Sequence, residues 1–75
     1  MEWVRQMQRI KELRKEKSMN QIALGMELNF SQKIISEYEN GKVEPSITTL
    51  KKLASIFNTS VDYIIEYTDI KQPID

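Results

Sequence analysis

Apolar side chains return along this chain at three- and four-residue steps, the repeat of a helix with one dry face. Trp3, Met7, Ile10 and Leu13 make the first such face, with Arg9, Lys11, Glu12, Lys15 and Glu16 mostly off it. Ser18-Met19-Asn20 breaks the run, and Asn20 suits an N-cap because its side-chain oxygen accepts a free first-turn N–H. A second helix is predicted over residues 21–28, ended by Asn29 in the left-handed conformation that glycine usually supplies. Ser31 caps a third helix that reaches about Asn40. Gly41 stops it, and the pre-proline Glu44 with Pro45 keeps the chain extended. Ser46 caps a fourth helix carrying Leu50, Leu53, Ala54 and Phe57 at core spacing, with Asn58 as its terminator. Ser60 caps a fifth, from Val61 to about Tyr67. Short helices on such short links predict one compact all-α, five-helix domain over residues 1–67. Residues 68–75, aperiodic and containing Pro73, are expected to form a loose tail.

The second and third predicted helices are separated only by Asn29, Phe30 and the cap Ser31. Two short helices across so tight a turn read as a helix-turn-helix, whose second helix lies in the major groove of DNA. At ~100° per residue, Ile35 and Tyr38 turn inward. Gln32, Lys33, Ser36 and Glu37 then share the opposite, solvent-facing arc. Any amphipathic helix has a polar outer face. Here, three of those four side chains also have specific base-edge chemistry.

The wording of the segment carries more than its periodicity. Arg9-Ile10-Lys11-Glu12-Leu13-Arg14, Asn20-Gln21, Leu24, Leu28, Ser31, Ile35-Ser36, Tyr38-Glu39-Asn40-Gly41-Lys42, Pro45-Ser46 and Leu50 closely resemble the lambda-repressor-like (Xre-type) DNA-binding domain. Leu53-Ala54, Phe57 and Ser60-Val61-Asp62-Tyr63-Ile64 resemble that family's last two helices. The resemblance implies a five-helix domain that binds double-stranded operator DNA and regulates transcription, usually as a dimer.

Carried over position by position, Gln32, Lys33 and Glu37 match base-contacting residues, and Ile34 beside them is suited to a thymine methyl. Gln21 matches a phosphate contact that also supports the reading helix. Asn40 and Lys42 match residues that follow the DNA backbone, and Asn20, Ser31 and Ser36 are further backbone candidates. Arg14 and Glu39 match a structural ion pair buried between helices. A carboxylate in the last turn of a helix sits badly with the helix dipole and calls for such a partner. A homodimer through Val61, Ile64 and Ile65 of the fifth helix would set two readers one helical turn apart on an inverted repeat.

The chain also departs from the family's pattern. Gly25 stands where alanine is usual, at a cost of ~0.5–1 kcal/mol in a helix interior. Asn29 replaces the glycine between the two helices. Ile22, Met26 and Ile34 are apolar where polar residues are usual, and they suggest a second function class, a protein-interaction module docking through that face.

Composition trims the remaining possibilities. The chain has 75 residues, 40% hydrophobic and 29% charged, which is globular rather than disordered composition. It has no histidine and no cysteine, so the commonest general base, the commonest metal ligand and thiolate chemistry are missing. No enzyme activity, cofactor, metal or small-molecule ligand is expected. Eleven basic and eleven acidic residues cancel, but residues 1–18 carry six basic against three acidic, a local net of +3. No apolar run approaches the ~20 residues of a membrane span, and the start carries no signal-peptide core, so the cytoplasm is the expected location.

Overall fold

Every helix predicted from the pattern forms, and side-chain caps mark where four of the five begin. The computed structural model describes residues 7–71, with α1 (Gln8–Glu16), α2 (Gln21–Leu28), α3 (Gln32–Glu39), α4 (Ile47–Phe57) and α5 (Val61–Ile64) among them. Asn20, Ser31, Ser46 and Ser60 each turn a side-chain oxygen onto a backbone N–H three residues ahead, in Ala23, Ile34, Thr49 and Tyr63. Such a cap contributes ~1 kcal/mol. Met7 precedes α1 without a capping bond and is buried in the core instead, while Trp3 lies outside the described residues.

All five helices end the same way. One residue turns left-handed, and the two amides from it onward reach back to carbonyls of the last turn. The left-handed residues are Ser18, Asn29, Gly41, Asn58 and Glu66. At Glu66, the Tyr67 amide bonds the Asp62 carbonyl at 2.8 Å and the Glu66 amide bonds that of Tyr63 at 3.0 Å. This turn is why α5 stops at Ile64 rather than near Tyr67. Nothing in a glutamate announces a left-handed turn, so residue type hid the boundary.

Each helix sends its dry stripe to one core: Ile10 and Leu13, Leu24 and Leu28, Ile35 and Tyr38, then Leu50, Leu53 and Phe57, and Ile64. Fully burying a side chain of that size is worth ~1.5–3 kcal/mol. No helix among the described residues is long and apolar enough to cross a membrane.

Residues 68–71, expected to be loose, are held by side chains from elsewhere. Arg9 donates to the carbonyls of Tyr63 at 2.8 Å and Thr68 at 2.6 Å and to the Asp69 carboxylate at 2.7 Å. Its guanidinium also lies 4.1 Å from the centre of the Tyr63 ring. Thr59 donates its hydroxyl to the Lys71 carbonyl, and Lys71 pairs with Glu16. The segment needs no periodicity because its anchors lie on α1 and after α4.

Candidate nucleic-acid interface

The α2–α3 turn depends on Gly25. The Phe30 amide reaches back 2.8 Å to the Gly25 carbonyl. A Cβ on Gly25 would stand 2.5 Å from the Phe30 carbonyl oxygen, closer than carbon and oxygen approach. The glycine that looked like a weak helix residue is therefore what lets α3 fold back so tightly onto α2. Phe30 then packs edge-on to the Tyr38 ring, centroids 6.1 Å apart.

Behind α3 sits a buried ion pair. Arg14 Nε donates to Glu39 Oε2 at 2.7 Å, and Nη2 donates to Oε1 at 3.1 Å. The remaining nitrogen, Nη1, donates to the Met19 carbonyl at 2.9 Å, tying down the α1–α2 link. Glu39 Oε1 also accepts from Gln21 Nε2 at 3.1 Å, and Gln21 Oε1 accepts from Gln32 Nε2 at 3.3 Å. A line of hydrogen bonds thus runs from α1, buried at Glu39, out to the surface at the first residue of α3. Sequence reasoning missed the Met19 contact; the interruption at Ser18-Met19-Asn20 was its only trace.

In front of α3 lies a shallow polar concavity lined by Gln21, Gln32, Lys33, Ser36, Glu37, Asn40 and Lys42. Two cations and one carboxylate leave it slightly positive. Asn40 Nδ2 donates to Ser36 Oγ at 3.4 Å, so these two neighbours hold each other. Asn20 and Ser31 are exposed near it, with side-chain oxygens already engaged in the caps. Ile34 does not join this surface: it is half-buried and packs against the core, one step round the helix from Lys33.

The helix-turn-helix family model matches residues 10–64, most of the chain. This protein belongs to the lambda-repressor-like, Xre-type helix-turn-helix family. Among its relatives is the immunity repressor protein of Bacillus phage phi105, 35% identical over 66 residues, covering 87% of this chain and 46% of the relative. The ImmF control region 10 kDa protein of the same phage is 34% identical over 62 residues, covering 83% of this chain and 68% of the relative. The HTH-type transcriptional regulator ImmR of Bacillus subtilis strain 168 is 30% identical over 64 residues, covering 85% and 50%. The chain thus spans about half the length of the immunity repressor and of ImmR. Two of these three relatives are named as a repressor and a transcriptional regulator, and none is named as an enzyme. No solved structure matches.

Two sequence expectations about this Xre-type domain change with the structure. Ile64, expected at a dimer face, is 0% exposed, and Val61 and Ile65 are half-buried against the same core. The short α5 spends its apolar side chains on its own domain, because a four-residue helix has little face left over. The proposed protein-docking face also shrinks: Ile22 and Met26 are 54% and 74% exposed, but Ile34 is turned to the core.

Proposed function

We propose that this chain is a sequence-specific, double-stranded-DNA-binding transcriptional regulator, a repressor acting in the cytoplasm as a homodimer on an inverted-repeat operator. The observation that carries this reading is the polar concavity on α3, where Gln32, Lys33 and Glu37 stand side by side with Gln21 and Lys42 at the edge. In the major groove, Gln32 matches adenine N6 and N7, Lys33 matches guanine O6 and N7, and Glu37 accepts from cytosine N4. Asn20, Gln21, Ser31, Ser36, Asn40 and Lys42 form the phosphate-contacting set in this reading, since amides, hydroxyls and an ammonium suit phosphate oxygens and fix the register. Ile34 is left out of the base-reading set in this reading, since it is half-buried and packs against the core.

Selection of bound sites from random duplex DNA tests the proposal. Gln32→Ala, Lys33→Ala and Glu37→Ala should each relax preference at one base pair by ~1–3 kcal/mol. An unchanged selected site in all three variants overturns the assignment. The exposed Ile22 and Met26 favour the protein-docking reading. Binding to duplex DNA that falls steeply with salt separates the two, because phosphate contacts release counterions and apolar docking does not.

A further inference from the structure

The three base-reading candidates on α3 differ in what they still need from a partner. Lys33 only donates. Gln32 gives an N–H to Gln21 Oε1, and its own amide oxygen accepts nothing from the described residues. Glu37 is half-buried in the concavity that Lys33 and Lys42 also line, yet neither ammonium bonds its carboxylate. The ion pairs among the described residues join Arg9, Arg14 and Lys71 to other acids. A carboxylate never donates, so a partner for Glu37 must bring a hydrogen of its own. Phosphates have none to offer and repel it. The major-groove edges of the bases have two donors, cytosine N4–H and adenine N6–H. The free oxygen of Gln32 faces the same short list. Both acceptors on this surface therefore call for an exocyclic amine.

We propose that this surface also reads the methylation state of those amines, accepting adenine N6 and cytosine N4 when unmodified and rejecting them when methylated. Each amine carries two hydrogens. Base pairing takes one, and the other faces the groove. A single methyl on the nitrogen of a paired base must replace the groove-facing hydrogen. It removes the donor and sets carbon where the protein's oxygen has to approach. The two readers do not suffer equally. Gln32 loses a neutral hydrogen bond, whereas Glu37 is left as a charge held against a base edge with neither water nor donor, which costs more. Methylation at the pair facing Glu37 is therefore the stronger signal. Amine methylation of the operator would switch binding off without any change of sequence. This inference rests on the DNA-reading proposal and adds to it a condition on the chemical state of the DNA.

Titration of the full 75-residue chain against matched duplexes tests it. Each duplex carries the selected site, plain or with one methyl on the amine of a chosen pair. The pairs facing Glu37 and Gln32 are those at which Glu37→Ala and Gln32→Ala relax the base preference. A methyl on the amine of the Glu37 pair should weaken binding about tenfold or more, the size of one good base contact. A methyl at the Gln32 pair should weaken it less, and the same methyl outside the site should change nothing. Glu37→Ala should bind the plain duplex and the duplex methylated at its own pair nearly alike, while melting as the parent does. A parent that selects a site but binds its methylated and plain forms equally overturns this proposal and leaves the DNA reading standing. A penalty that persists undiminished in Glu37→Ala also overturns it, because the methyl would then be felt by another group. A parent that selects no site ends the DNA reading, and this proposal with it.

Discussion

Two arginines on α1 each hold a distant carboxylate at 2.7 Å, and the distance says nothing about how much depends on them. Arg14 and Glu39 have side chains only 9% and 3% exposed, so neither charge has water to fall back on. Arg9 is largely covered at 17%, but its partner Asp69 is 95% exposed. Water solvates Asp69 nearly as well alone as paired. The region behind α3 is therefore committed to its charges, whereas the region at α5 and residues 68–71 relies on Arg9 meeting two backbone carbonyls and a tyrosine ring. What separates the regions is the solvent each pair has given up.

Breaking the committed region should have the largest effect. Arg14→Met or Glu39→Gln alone leaves a buried partner without its counter-charge and should cost ~3–5 kcal/mol in urea melts. The double substitution Arg14→Met with Glu39→Leu should recover much of that loss, since apolar replacements of similar volume remove the stranded charge. Additive losses below ~1 kcal/mol would erase the contrast, for they would mark a pair as loosely held as the exposed one.

The same region should resist even a substitution that helix propensity favours. Gly25→Ala gains ~1 kcal/mol of intrinsic helix preference, but its methyl meets the Phe30 carbonyl, and forced overpacking costs ~1–3 kcal/mol. A lower Tm is the expected outcome, with amide shifts confined to the α2–α3 turn. A higher Tm with an unmoved turn would mean the approach is looser than described.

The exposed region should give the smallest response. Asp69→Asn should lower Tm less than any change at Glu39, and the difference should vanish at about 1 M salt, where charges separated by water are screened. Lys71 sharpens the point. Its hydrogen bond to Glu16 raises its pKa above the ordinary 10.5. The contribution is then present in full below 10.5 and fades as pH rises past the folded value. A melting curve flat to that pH and declining beyond it fits. Loss already at neutral pH does not.

What the sequence made legible here is local. Asn20, Ser31, Ser46 and Ser60 announced four helix starts because a cap is a bond between residues three apart. Asn29, Gly41 and Asn58 announced three ends for the same reason. Glu66 did not, since only its backbone, and not its side chain, betrays the turn. Periodicity on α5 could say that Val61, Ile64 and Ile65 are apolar but not which wall they meet, and the answer depends on α1 and α4 packing over them. Ile34 posed the same difficulty: adjacent positions on a helix differ by 100°, and where the core's edge falls within that arc is a tertiary matter. The polar surface of α3 was readable for the opposite reason, because Gln32, Lys33, Ser36 and Glu37 occupy one arc whatever surrounds the helix. The role of Gly25 was misjudged because its cost is local and its benefit is a contact with the turn.

The line of bonds from Arg14 to Gln32 has one more property, its sense. A guanidinium only donates and a carboxylate only accepts, whereas an amide does either and is free to flip end for end. With Arg14 feeding both oxygens of Glu39, the next group must also donate to that carboxylate, so Gln21 has to present Nε2 inward. Its oxygen is then left facing α3, and Gln32 in turn must answer with an N–H. A permanent charge in the interior thereby fixes the orientation of two neutral, reversible side chains in succession. One N–H of Gln32 is committed, and its oxygen and second N–H are turned outward as an ordered acceptor–donor pair. Replacing Glu39 with glutamine would restore to each amide the choice of which end leads, even if every atom stayed in place.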